Sequence, residues 1–130
     1  MKKYPPIIAG ILLGLLFVMS AVVVLFNLVK MPPPPPADTP PGMFFGAFGP
    51  TGYFTFVKIF ELVGGLFVMI PRLRNFGLLL LGPVIVNILA FHIFIGGGLK
   101  DLLSPMILVM LVLSLYLLWA GRKNFSGLLN

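Results

Sequence analysis

Four long apolar runs constrain this chain more than any other feature of its sequence. They cover about Ile7 to Val29, Tyr53 to Ile70, Phe76 to Ile95 and Leu102 to Ala120. Each is close to the ~20 apolar residues with which an α-helix crosses a ~30 Å hydrocarbon core. A helix also satisfies its backbone polar groups within its own segment, as lipid requires. The sequence therefore predicts an all-α membrane protein, a four-transmembrane-helix bundle that forms one domain over residues 1–130.

The composition excludes an ordinary soluble domain. Hydrophobic residues make up 59% of the 130 residues and charged residues only 9%, which is too little charge to cover a water-exposed surface. The net charge of +6 needs no nucleic acid to explain it, because excess Lys and Arg in short loops orients membrane helices. The lipid bilayer is therefore the expected partner. A membrane or extracytoplasmic protein partner and a second copy of the chain stay open.

The Lys and Arg residues also predict the orientation. The cytoplasmic set is Lys2, Lys3, Arg72, Arg74, Arg122 and Lys123, and the outer loops hold Lys30 and Lys100 beside Asp38 and Asp101. This bias predicts a multi-pass protein of the cell inner membrane, the bacterial plasma membrane, with both termini inside. The first run is interpreted as a retained helix, because it is longer than a typical signal-peptide core and no clear small-x-small cleavage site follows it.

The predicted outer loop, residues 30–52, has two parts. Its five consecutive prolines, Pro32 to Pro36, favour an extended polyproline II segment, and a rigid spacer is preferred to a ligand for a proline-binding domain. The second part, MFFGAFGPTGYF, is rich in aromatic residues and glycine. It suits either a segment at the lipid–water boundary or a lid over the bundle, and the sequence leaves both open.

Two charges of opposite sign lie inside the second apolar run. A charged side chain at the bilayer centre costs about 2.5–3.5 kcal/mol on insertion scales. Lys58 and Glu61 have the i, i+3 spacing that lets side chains meet on one helix face. Gly64 and Gly65 follow one turn later, where small residues allow another backbone to approach closely. The charged face is therefore predicted to pack inward.

The rise of a helix places further polar groups at a similar depth. Lys58 and Glu61 lie ~9 and ~13 Å below the outer end of the second helix. Asn87 and His92 lie ~12 and ~5 Å below the outer end of the third. Pro83 interrupts the third helix and is expected to widen the bundle. The candidate ligand-binding residues are Lys58, Glu61, Asn87 and His92, in which Glu61 holds Lys58 and Asn87 orients Glu61 or a ligand carbonyl.

The polar cluster has a structural and a functional interpretation. Hydrogen bonds between membrane helices average only about 0.6 kcal/mol in one membrane protein, a small return for the insertion cost, so a functional site is favoured. Asn27 on the first helix and Ser104 on the fourth also lie in the outer half. The inner half is almost wholly apolar apart from Ser20 and Ser114, which argues against a transport path.

Several kinds of chemistry are excluded by what the sequence lacks. With no cysteine and one histidine, the chain by itself cannot build a zinc site or exchange thiols. Glu61 is the only acid within the apolar runs, so a di-iron carboxylate site is excluded. No metal is therefore expected, and catalytic residues stay unknown.

The segment from Phe45 to Phe94 resembles the DoxX-like family of small four-helix membrane proteins. KIFELVGG fits the K-x-x-E-x-x-G-G pattern of the family's second helix, and GPVIVN fits the G/A-P-x-x-x-N pattern of its third, which a histidine often follows. The matching residues are Lys58, Glu61, Gly64, Gly65, Pro83, Asn87 and His92. The first and last helices match only in hydropathy and length, and the proline run is not part of the family's common pattern.

The resemblance implies a class of ligand rather than a reaction. The family is similar to quinone-linked subunits of archaeal thiosulfate oxidation, and some members are associated with oxidative-stress and thiol-handling assemblies. It implies a quinone or another small lipophilic ligand in an outer-half polar pocket, within a redox-linked assembly. The alternatives are a non-catalytic accessory subunit of a membrane complex and a small proton or solute transporter. Whether the protein is an enzyme is left undecided.

The predicted topology can be tested with a single cysteine, since the chain has none of its own. In the Ala37→Cys variant, we expect an impermeant thiol reagent to label the protein in intact cells, because the loop that holds this position is predicted to lie outside. Labelling only after lysis would show that the orientation is the opposite of the predicted one.

Overall fold

The computed structural model describes residues 4–29 and 33–129. Within these ranges the protein is all-helical and has no strand. The longer helices are α1 (Tyr4–Leu25), α2 (Pro40–Phe48), α3 (Tyr53–Met69), α4 (Arg74–Ala90) and α5 (Pro105–Ala120), and the short helix α6 (Arg122–Ser126) follows. Short helical turns cover Gly49–Thr51, Phe91–Ile95, Leu99–Leu103 and Gly127–Leu129. Lys2, Lys3, Lys30 and Pro32, which enter the predictions above, lie outside the described residues.

Two helices are long and apolar enough to cross a membrane, namely α1 and the continuous stretch Arg74–Ile95. A third is added if α2 with its following turn counts as one span with α3, although the chain bends by 83° between them. The bend falls at Gly52, whose φ of 82° is left-handed and suits glycine. The helix α5 is apolar but has 16 residues. The predicted all-α class is confirmed, whereas the number of spans and their orientation stay predictions.

The four longest helices alternate in direction. Gly10, near the start of α1, lies against Val68, near the end of α3. Asn75, at the start of α4, lies against Gly121, just after the end of α5. We call this end of the bundle the basic end and the opposite end the α2 end. One fully buried side chain from each of these helices forms the centre of the core: Leu13, Val68, Leu81 and Leu117.

Glycines bring both neighbours close to α3. A Cβ added to Gly14 of α1 would lie 2.5 Å from the carbonyl oxygen of Gly65, and one added to Gly77 of α4 would lie 2.9 Å from that of Gly64. Real Cβ atoms essentially never come so near. Close backbone approach through small residues is a usual way for membrane helices to associate. The predicted packing role of Gly64 and Gly65 is confirmed.

The first helix ends four residues before its predicted limit, at Leu25. The reason is Asn27, which has a left-handed φ of 52°. The N–H of Leu28 donates to the carbonyl of Val23 at 3.0 Å, and the N–H of Asn27 donates to that of Val24 at 3.4 Å. These are the two bonds of a Schellman motif, a common helix terminator. Asn27 is thus a cap, and the prediction that it lies on the helix is wrong.

Two other helix predictions need correction. The last helix begins at Pro105 rather than near residue 102, because the Ser104 hydroxyl accepts a hydrogen bond from the N–H of Ile107 at 3.4 Å and caps it. Proline then takes the first helical position, where its missing N–H costs nothing. Pro83 does not interrupt the third apolar run, since α4 continues through it to Ala90.

The predicted outer loop contains a helix, α2, that was not expected from the sequence. Thr39 caps α2, because its hydroxyl accepts a hydrogen bond from the N–H of Gly42 at 3.2 Å and donates one to the carbonyl of Pro36 at 2.6 Å. Pro40 starts the helix, so this second group of prolines does not extend the spacer. Residues 33–36 have no regular structure.

The glycine crossing predicts a contrast between two helical glycines. Gly14→Ala should destabilise the purified protein by about 1–3 kcal/mol, because the new methyl group overpacks the α1–α3 contact. Gly82→Ala, where nothing lies within 4 Å of the added Cβ, should be neutral or stabilising by about 0.5–1 kcal/mol through helix propensity. Unfolding in one detergent measures both changes. Equal losses would show that close packing does not set the cost at Gly14.

Candidate functional site

A cavity of about 320 Å³ lies at the α2 end, between α3 and α4. Its volume is at the lower limit of ligand pockets, which range over ~300–1,000 Å³. Lys58, Glu61, Asn87 and His92 line it, together with Tyr53 and apolar side chains. The structure therefore brings all four of the predicted residues to one cavity. Their role in binding a ligand stays a prediction.

Aromatic rings from three elements form the apolar walls of the cavity. The Phe44 ring of α2 lies 5.7 Å from that of Phe54 and 5.0 Å from that of Phe91. The neighbouring Phe45 ring lies 5.4 and 5.6 Å from the same two rings. Such separations are favourable for aromatic pairs. The aromatic half of the loop therefore lies over the bundle, as in the lid alternative.

Phe44 and Phe45 were not predicted as residues of the candidate site. Both line the cavity, but their place there depends on where α2 packs. The signal that could have found them is the Thr39-Pro40 pair, which is typical of a helix start. A helix that begins there carries the two rings into its first turns.

The charged pair forms as predicted. Lys58 Nζ lies 3.3 Å from Glu61 Oε1, and the side chains are 22% and 6% exposed, respectively. Lys58 Nζ also donates a hydrogen bond to Ser20 Oγ of α1 at 3.0 Å. An ammonium group has three N–H donors, so one remains beyond these two contacts. Lys58 lines the cavity, and that donor is available to a ligand or to water.

Ser20 lies at a different depth in the bundle from the one predicted. It was assigned to the apolar inner half, but it contacts Lys58 near the α2 end. Since α1 ends at Leu25 and α3 begins at Tyr53, both partners lie ~8 Å from the ends of their helices. The early end of α1 therefore explains the contact, and Asn27 was the signal for it.

Asn87 does not orient Glu61, so this part of the prediction is wrong. Its Nδ2 donates to the carbonyl of Pro83, one turn earlier, at 2.9 Å. Within residues 33–129 no hydrogen bond joins it to Glu61, and its amide oxygen has no partner there. The side chain is exposed and lines the cavity. Asn87 therefore presents an acceptor to the cavity rather than a support to the carboxylate.

His92 is held from the loop that follows α4. Its Nδ1 lies 3.4 Å from Asp101 Oδ2, which also accepts the N–H of Gly97 at 2.7 Å. The hydrogen bond from Gly97 holds the pKa of Asp101 below its usual range, and His92 acts in the same direction. In the neutral tautomer that donates from Nδ1 to Asp101, Nε2 is an acceptor. His92 lies in a π-helical turn, a feature frequent at functional sites.

A second, wider cavity of about 580 Å³ lies between α1 and α5. Its walls are aliphatic side chains and methionines, and Ser20 is its polar residue. The Ser20–Lys58 hydrogen bond therefore joins the linings of the two cavities. Within the described ranges, no group of three or more His, Cys, Asp or Glu residues could hold a metal ion.

The fold and the cavity define a class, a small all-helical protein with membrane-length helices and a polar site under aromatic walls. No protein-family model matches the chain, and no solved structure matches it. It is 30% identical over 76 residues to the uncharacterized protein YwoB of Bacillus subtilis (strain 168). This stretch is 58% of the chain and 47% of YwoB, so the chain spans about half the length of that relative. The DoxX-like resemblance stays an expectation.

The ion pair can be tested by a double-mutant cycle. Glu61→Gln and Lys58→Met should each destabilise the purified protein, because each leaves one charge without its partner in a poorly solvated place. The double variant should lose less than the sum of the two, with a coupling of about 0.5–3 kcal/mol. Unfolding of the four proteins in the same detergent gives the coupling. Strictly additive losses would show that the two side chains do not stabilise each other.

Proposed function

We propose that this protein is a DoxX-like, four-span inner-membrane protein that binds a small lipophilic molecule with a polar head, such as a quinone, within a redox-linked assembly. The observation that carries the proposal is one cavity in which a partly buried ion pair, Asn87 and His92 face aromatic walls. Apolar walls with a few convergent polar groups are typical of ligand sites.

The membrane placement rests on helix lengths and charge. The helices α3 and α5 have 17 and 16 residues, which corresponds to ~26 and ~24 Å. They are slightly shorter than the hydrocarbon core, but a bilayer thins around short spans at modest cost. The Arg and Lys residues of the basic end support a cytoplasmic position for that end, and the cavity then opens in the outer half.

The polar groups of the cavity suit an oxidised and a reduced ring equally. The third N–H of Lys58 can donate to a quinone carbonyl, whereas the Asn87 oxygen and His92 Nε2 can accept from a hydroquinone hydroxyl. The aromatic walls offer faces and edges against which a planar ring packs favourably. These contacts describe binding, and they assign no reaction to the chain.

The two alternatives have less support. An accessory subunit that uses the charges only for packing has no need of a cavity beside them. A transporter needs a polar path to the basic end, but among the described residues Ser114 is the buried polar residue beyond Glu61, and the largest fully buried side chains are apolar: Leu13, Val68, Leu81 and Leu117.

Binding is tested with a short-chain benzoquinone and the purified protein, alongside mass spectrometry of co-purified lipophiles. The double variant Lys58→Met, Glu61→Leu should fold, because apolar residues often replace a buried ion pair without loss. It should bind the quinone about tenfold or more weakly, since hydrogen bonds to charged groups contribute about 1.5–3 kcal/mol. Asn87→Leu should cost about fivefold, as for a neutral hydrogen bond.

Lys100→Met is the matched control, because it removes a positive charge from the same end of the protein but outside the cavity lining. Its affinity for the quinone should equal that of the wild type. If the double variant and Asn87→Leu are folded and bind as tightly as the wild type, the charges serve packing and the proposed site is wrong.

A further inference from the structure

The basic end of the bundle has no role in the cavity, yet it concentrates positive charge. Among the described residues it holds Arg72, Arg74, Arg122 and Lys123, whereas the acidic residues of the whole sequence are Asp38, Glu61 and Asp101. Glu61 is paired with Lys58, and Asp101 lies in the loop at the opposite end. Asp38 precedes α2. The basic end therefore has no acidic side chain to neutralise it.

Helix packing gathers these cations from separate parts of the chain. The stem of Arg74 lies against Gly10, where an added Cβ would be 3.3 Å from its Cδ. The adjacent Asn75 lies against Gly121, where an added Cβ would be 2.6 Å from its Oδ1. The α3–α4 turn, the start of α1 and the end of α5 thus meet. Arg72 is exposed within that turn.

The two arginines next to the helices keep donors that the protein does not use. Arg74 Nε is buried and has no hydrogen-bond partner among residues 4–29 and 33–129. Arg122 Nη1 donates to the carbonyl of Trp119 at 2.7 Å, and its guanidinium lies 4.4 Å from the centre of that ring. Each guanidinium carries five N–H donors, so most of those on Arg122 remain available.

Trp119 indicates the depth of this cluster in a bilayer. Its side chain is 60% exposed, although it lies at the end of the apolar helix α5. Tryptophan is enriched at the headgroup level of membranes, where its ring is partly in lipid and partly in water. The contact between Arg122 and Trp119 therefore places the guanidinium where lipid phosphates lie.

We propose that the basic end binds the phosphate of an anionic phospholipid headgroup. Arginine forks match phosphate oxygens in a bidentate geometry, and basic pockets between membrane helices bind anionic headgroups. A zwitterionic headgroup brings its own cation and gains less from a cluster that has no acid. The site rests on the membrane placement proposed above and is independent of the quinone cavity.

The protein carries its own probe for this site, because Trp119 is its only tryptophan. Wild-type protein is placed in phosphatidylcholine vesicles that contain the same mole fraction of either brominated phosphatidylglycerol or brominated phosphatidylcholine. The quenching of Trp119 fluorescence is then compared between the two kinds of vesicle. We expect stronger quenching by the anionic lipid, because it is enriched beside Trp119. The double variant Arg72→Gln, Lys123→Gln leaves the Arg122–Trp119 contact in place. Its preference for the anionic over the zwitterionic lipid should fall on the order of tenfold.

Lys100→Gln is the control, since it removes one cation at the α2 end and should leave the preference unchanged. Equal quenching by the two lipids in the wild type would overturn the proposal. A loss of preference in Lys100→Gln as large as that in the double variant would overturn it as well. A preference abolished by inorganic phosphate, but not by chloride at the same ionic strength, would show that the ligand is free phosphate and not lipid. Absence of quenching by either lipid contradicts the membrane placement and this site together. Loss of quinone binding with the lipid preference intact contradicts the proposed function alone.

Discussion

Glu61 is a carboxylate that this apolar bundle holds almost out of reach of solvent, and the packing around it follows from that burial. Its charge is balanced by Lys58, and Lys58 in turn reaches Ser20 on α1. The contact ties the first two long helices together near the α2 end. One turn after Glu61, Gly64 and Gly65 bring the backbones of α4 and α1 against α3. The carboxylate is thus closed off on the side of the basic end, and its polar neighbours face the cavity.

The same arrangement divides the molecule into two polar regions with an apolar centre between them. At the α2 end, Lys58 is compensated by Glu61, and His92 lies beside the carboxylate of Asp101. At the basic end, the arginines and Lys123 have no acidic side chain beside them. The first region therefore suits the proposed neutral ligand, which it would hold by hydrogen bonds, whereas the second suits the proposed anionic headgroup. Long-range electrostatic attraction comes mainly from the second region, because the opposite charges of the first region lie close together and largely cancel at a distance.

Most of the fold and part of the site could be predicted from the sequence, for reasons that particular residues show. The second apolar run was placed almost correctly, since Gly52 and Pro71 limit it on both sides. The meeting of Lys58, Asn87 and His92 at one cavity followed from helix rise, which is regular enough to compare depths. Helix ends were less predictable, because they depend on single hydrogen-bonded caps that an apolar run does not show.

The errors near the site have the same physical origin. The turn at Asn27 shortens α1 and moves Ser20 toward Lys58, and the cap at Thr39 creates the helix that carries Phe44 into the cavity wall. Asn87 bonds a carbonyl of its own helix, a local alternative that competes with any partner across the bundle. Sequence spacing measures depth but not rotamers, so it predicted which polar residues line the cavity and missed some of their partners.

In the proposed site, a ligand competes with water for the third N–H of Lys58. The Lys58 side chain is 22% exposed, so either water or a ligand in the cavity can accept a hydrogen bond from this donor. Water can fill that role, and a volume of about 320 Å³ leaves room for it. Water gains nothing, however, from the rings of Phe44, Phe54 and Phe91 that form the rest of the wall. A molecule that accepts from Lys58 and also covers the rings removes apolar surface from water, at about 25 cal/mol per Å². If the proposed ligand binds here, we therefore expect the polar groups to set its orientation and the aromatic walls to supply most of the preference for it.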